Sequence, residues 1–222
     1  MPLKRSLLYG LANLAYFLGY STFNSYALFF YTDHLHASAA LIGRAWLLFG
    51  IWNTANDLLC GWLSDRIPGH RRRTLPILVL SIPVGVSFAL IWNPIGAVAL
   101  AQGALFWYFL LLASLYDVLQ TAVNISQGAA FPEMTRTSGD RSRVAAIRQA
   151  YGAIGTALAL ALSPSLYGRF GWGVMGMVWG AMITGLWLLS LPGFTSGNAP
   201  PDPDPRPRSG RRGNGADAAP RG

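Results

Sequence analysis

The chain has 222 residues, 52% of them hydrophobic and only 12% charged, with 8 Trp, 11 Phe and 9 Tyr. A soluble domain carries about a quarter charged residues, so this composition excludes an ordinary water-soluble protein. The net charge of +8 then belongs to loops facing anionic lipid, and no nucleic-acid partner is expected.

A helix crosses a bilayer with about 20 apolar residues. Six runs meet that length: Ser6–Tyr31, Ala39–Leu63, Leu75–Trp92, Gly103–Phe131, Val144–Tyr167 and Gly171–Leu191. The first follows Lys4 and Arg5 but runs well past the 7–15 apolar residues of a signal peptide, so it reads as a retained helix. Tyr31, Trp92 and Tyr167 close spans, where aromatic rings settle at the membrane interface. Asn93-Pro94 marks a loop, and Pro164 a kink near a helix end. The predicted fold is an all-α membrane protein of six transmembrane helices over residues 1–194.

From Thr195 the composition changes to six Pro and five Gly in the last 28 residues. Such a stretch cannot bury apolar surface, so residues 195–222 are expected to form a disordered cytoplasmic tail. Orientation follows from Lys and Arg in alternate loops. Fourteen of the 17 fall at the N-terminus, in loops 2–3 and 4–5, or in the tail, against only Arg44 and Arg169 opposite. Both termini are therefore expected in the cytoplasm.

Ionisable groups within spans are costly and signal function. Three stand out: Asp57, Asp117 and Arg148. Asn53 and Asp57, four residues apart, share a helix face with Asn56 to one side. One carboxylate with amide oxygens suits a hard cation or a proton, whereas Asn53 alone reads more simply as an interhelical hydrogen bond. Asp117, Gln120, Thr121 and Asn124 form a second polar stripe, and Asn13, Tyr20 and Asn24 a third. Three such stripes predict a wet central cavity. Arg148 either snorkels to the headgroups or reaches that cavity. Gly152/Thr156, Gly155/Ala159 and Gly176/Gly180 have the small-xxx-small spacing of close helix packing. The single cysteine, Cys60, allows no disulfide framework. His34 and His36 lack a ligand cluster, and no G-x-S-x-G or H-E-x-x-H occurs, so no enzyme is expected.

Loop 2–3 reads Gly61-Trp-Leu-Ser-Asp65-Arg66 and then Arg71-Arg72-Arg73. It resembles the G-x-x-x-D-R…R-R signature of the major facilitator superfamily. Three further stretches resemble the glycoside–pentoside–hexuronide:cation symporters, the melibiose-permease group. They are Leu8-Tyr9-Gly10-Leu11 with Phe29-Phe30-Tyr31-Thr32-Asp33, then Ile51 to Gly61, then Phe131-Pro132-Glu133-Met134-Thr135 followed by Asp140 to Arg143 and Arg148-Gln149.

The resemblance implies a cation site at Asn53, Asn56, Asp57 and Thr121. One of the family's carboxylates is an amide here, which weakens sodium coordination and favours proton coupling or none. It implies solute contacts at Arg148 and at Asn124, with Asn13 and Tyr20 added from the polar stripe of the first span. The family's acidic helix-1 ligand is Phe17 here, and its helix-4 aromatic is Gly128. Gly61, Asp65, Arg66 and Arg72 would latch one conformation.

The expectation is one six-helix half of a symporter in the bacterial inner (plasma) membrane, moving a small polar solute such as a sugar by alternating access. H+ or Na+ is the coupling ion, with no cofactor and no other metal. Its partners would be the lipid bilayer, the solute, and a second six-helix half or a second copy of the chain. The alternative is a non-transporting membrane protein, an assembly partner or a truncated transporter remnant.

Overall fold

The structure, a computed structural model, describes residues 2–66, 71–96, 101–135 and 137–194. Six long helices account for most of them: α1 (Leu3–Phe29), α2 (Ala39–Arg66), α3 (Arg71–Ile91), α4 (Gln102–Met134), α5 (Ser138–Phe170) and α6 (Trp172–Phe194). Each contains one of the predicted spans almost entirely, because a long apolar run satisfies its backbone only by coiling on itself. A π-helical turn, Phe30–His34, extends α1 toward the loop. The predicted tail, 195–222, lies outside the described residues.

Local chemistry sets several helix ends. Thr137 caps α5 by accepting the Asp140 N–H at 3.1 Å, so α5 starts six residues before the predicted span. Gly171, at φ +86°, ends α5 in a conformation that side-chain-bearing residues rarely adopt. Pro164 lies within α5, in its last two turns. Proline has no N–H for the Leu160 carbonyl, and the Tyr26 hydroxyl donates to that oxygen instead at 2.9 Å.

Among the described residues, four helices contain segments long and apolar enough to cross a membrane: Thr74–Ile91, Gln102–Pro132, Ser138–Phe170 and Trp172–Phe194. α1 and α2 have the length but carry more polar side chains, among them Asn13, Asn24, Asn53, Asn56 and Asp57. Large apolar side chains such as Leu47, Ile51, Leu58 and Ile82 point outward.

α1 packs along α5 and α6, α4 along α2 and α3, and α3 along α6. Exchanging helices 1–3 with helices 4–6 leaves these pairings unchanged, the sign of two three-helix repeats. Small residues make the seams. The Gly85 and Gly180 backbones are so close that a Cβ on either would collide with the other's carbonyl oxygen. A Cβ on Gly155 would lie 2.8 Å from the Leu14 carbonyl oxygen, and one on Gly152 would lie 2.9 Å from the Phe17 ring. Thr156 shares a hydroxyl hydrogen bond with Ser21 at 3.0 Å.

Aromatic rings fill the core. Phe23, Trp46 and Phe109 stack across α1, α2 and α4, with centroids 5.4 to 6.2 Å apart. At the end where α1 finishes, Trp172 stacks on Tyr167 at 3.9 Å and on Trp92 at 5.7 Å. Tyr31 and Trp92, expected at the interface, are fully buried. Tyr31 turns inward to donate to the Ile91 carbonyl at 2.8 Å, so its hydroxyl is satisfied by protein and not by headgroup water.

Candidate functional site

A cavity of about 390 Å3 opens between α1, α2 and α4. α1 lines it with Tyr16, Tyr20, Phe23 and Asn24, and α2 with Phe49, Asn53 and Asp57. α4 adds Tyr116, Asp117, Gln120, Thr121, Asn124 and Ile125. The three polar stripes read from the sequence therefore meet on one chamber, in most of their members.

Asp117 is its most tightly held charge. Asn53 Nδ2 donates to one carboxylate oxygen at 2.7 Å, and Asn56 Nδ2 to the other at 2.8 Å. The i, i+3 spacing on α2 puts both amides on the face turned to α4, and Asn56 is almost fully buried there. The Cys60 thiol donates to the Asn56 amide oxygen at 3.1 Å, fixing that amide's orientation. In this arrangement the two asparagines turn N–H groups, not oxygens, toward the neighbouring charge.

Asp57 is on the exposed side of α2 and lines the same cavity. Thr121, four residues after Asp117, also faces the chamber, as does Asn124 a further turn along. Gln120 is 95% buried, and neither its amide nitrogen nor its amide oxygen has a partner among the described residues. The Tyr116 hydroxyl is likewise unpartnered. Asn24 is spent on its own helix, donating to the Tyr20 carbonyl at 2.8 Å.

The predicted α1 stripe divides. Tyr20 and Asn24 line the cavity, whereas Asn13 lies buried where α1, α4 and α5 meet. There its side-chain oxygen accepts from Arg148 Nε at 3.0 Å and Gln127 Nε2 at 2.9 Å. Its amide nitrogen donates to the Arg148 carbonyl at 3.2 Å. The Arg148 guanidinium sits over the Tyr9 and Phe131 rings, 5.9 and 5.4 Å from their centroids, and Tyr9 donates to the Gln127 carbonyl at 2.7 Å. Arg148 is thus held among helices rather than extended to the headgroups, and it is not among the residues lining the cavity.

Of the predicted latch, Gly61 lies in α2 with open space beside it. The side chains of Asp65, Arg66 and Arg72, and loop residues 67–70, lie outside the described residues. Sequence reasoning singled out Asp117 as an intramembrane charge but left it out of the cation set. Its i, i+4 relation to Thr121 was the available signal. The aromatic lining from Tyr16, Phe23 and Phe49 gave no polar signal at all.

The described residues thus form a helical bundle with membrane-length apolar segments and a polar chamber between three of its helices. The chain belongs to the MFS/sugar transport protein family, whose profile matches residues 8–214. An uncharacterized symporter of Synechocystis sp. is 31% identical over 144 residues, covering 62% of this chain and 26% of that protein. The isoprimeverose transporter of Lactiplantibacillus pentosus is 26% identical over 174 residues, 78% of this chain and 36% of that protein. Sodium-dependent lysophosphatidylcholine symporter 1-A of Danio rerio is 31% identical over 137 residues, 60% of this chain and 24% of that protein. The chain therefore spans well under half the length of these curated relatives.

Proposed function

We propose that the chain forms a six-span unit of a solute transporter that works by alternating access, with both termini in the cytoplasm and the cavity as its solute chamber. The observation that carries this reading is the convergence of three polar-striped helices, two carboxylates included, on one chamber in a bilayer-length bundle. Charged groups inside a membrane are retained where they face a pathway. α1 and α2 count as spans in this reading because their polar residues face that chamber or another helix.

Asp57 binds the coupling ion, H+ or Na+, with Thr121 beside it, while Asn53 and Asn56 hold Asp117 in place. Tyr20 and Asn124 contact the solute. Only Nε of Arg148 is engaged among the described residues, which leaves its η nitrogens as donors to solute oxygens. Asn13 is the residue that aims them. Coupling requires that the ion bind more tightly to the solute-competent state, and the Gly61–Arg72 region holds one side closed. The full pathway needs a second six-helix unit, from another half or a second copy.

The isoprimeverose transporter among the relatives makes a pentose-containing sugar the first solute to test. Uptake is measured in membrane vesicles carrying the protein, with and without an imposed H+ or Na+ gradient. Asp57→Ala is expected to abolish the gradient's effect. Unchanged gradient-driven uptake in that variant rules out the coupling role of Asp57.

A further inference from the structure

We infer that the chamber accepts an organic ammonium solute, seated on Asp117 and boxed by aromatic rings of α1 and α2. The inference rests on the solute-chamber reading above and names its substrate class.

Charge is the first argument. Asp57 and Asp117 both line the cavity, and no Lys, Arg or His is among the described residues that do. Arg148 lies outside that lining, with its Nε on Asn13 and its guanidinium over the Tyr9 and Phe131 rings. With the coupling ion on Asp57, a neutral solute would leave Asp117 uncompensated, whereas a cationic one offsets it. Asp117 is the better seat, because Asn53 and Asn56 already fix both its oxygens and no reorientation is needed when a cation arrives.

Shape and chemistry agree. Tyr16 and Tyr20 stack 5.8 Å apart with planes 11° from parallel, and Phe23 and Phe49 also line the chamber. Aromatic faces attract ammonium groups through the ring quadrupole. Gln120 is the independent sign of a ligand, since a buried amide with neither atom satisfied is rare in a folded protein. It is among the residues lining the chamber, with both amide atoms enclosed beside it. Size leaves room for an organic solute: the cavity of about 390 Å3 far exceeds the roughly 30 Å3 of one water and lies within the range of small-molecule sites.

The test is equilibrium binding to the purified full chain in lipid nanodiscs. The probes are acetylcholine, its uncharged carbon isostere 3,3-dimethylbutyl acetate, isoprimeverose, and NaCl alone. Acetylcholine is expected to bind at least about tenfold more tightly than the isostere, with Asp117→Asn erasing that preference and Gly43→Ala keeping it. Asp117→Asn can disturb the α2–α4 seam, so the ratio in the unmodified chain decides the matter by itself. Equal binding of acetylcholine and the isostere, or binding of isoprimeverose alone, overturns the ammonium assignment and leaves the solute chamber standing. Binding of Na+ alone reduces the cavity to an ion seat and overturns the assignment. Binding of none of the four overturns both the assignment and the solute chamber.

Discussion

Asn56 is where the residue scale is most exposed to test. Buried and bonded at once to Asp117 and Cys60, it cannot be truncated without stranding a carboxylate oxygen. Asn56→Ala is expected to cost about 1–3 kcal/mol, read as a lowered thermal midpoint in detergent. The half-buried Asn53 should cost less, because water can replace its N–H. A midpoint unchanged in Asn56→Ala would mean that the α2–α4 bond contributes nothing. Tyr26→Phe makes a second test, since it uncovers the Leu160 carbonyl that Pro164 leaves without a donor. It should cost about 0.5–1.5 kcal/mol, and Tyr26→Phe made together with Pro164→Ala should cost less than Tyr26→Phe alone. Asp57, Asp117 and Arg148 were legible in the sequence because charge in an apolar run is conspicuous. Their partners were not, since the choice of Asn13 for Arg148 and of two asparagines for Asp117 depends on which helices touch.

At the scale of the helix, apolar length dictated nearly everything. All six predicted spans formed helices, and the differences lie at ends where Thr137 and Gly171 set the boundary. Small-residue spacing showed which faces of α5 and α6 pack closely, but the opposite wall at Gly85 was hidden as a single glycine in an apolar run. The α3–α6 seam gives a sharp contrast. Gly180→Val should lose about 1–3 kcal/mol from overpacking, because the new side chain meets the Gly85 backbone. Gly185→Ala, on the same helix with no atom within 4 Å, should be neutral or gain up to about 1 kcal/mol from helix propensity. Thermal unfolding of the two variants side by side checks both. Similar losses in the two would mean that the seam is loose.

The whole molecule is organised by the exchange of its first three helices with its last three. Nothing in the sequence displays that relation, because it lives in which faces meet, not in matched residue types. Arginine placement gives an expectation for orientation, and that expectation predicts a labelling pattern. In a Cys60→Ser background, Ser38→Cys should react with a membrane-impermeant maleimide added outside intact cells. Thr137→Cys should react only after the membrane is opened. The reverse pattern would invert the topology. Exchange also relates the α2–α4 pairing to the α5–α1 pairing, and both are joined through asparagine. One holds the acid Asp117 and the other the base Arg148. The exchange therefore lays a bonded acid over a bonded base, so the two halves match in packing while opposing each other in charge.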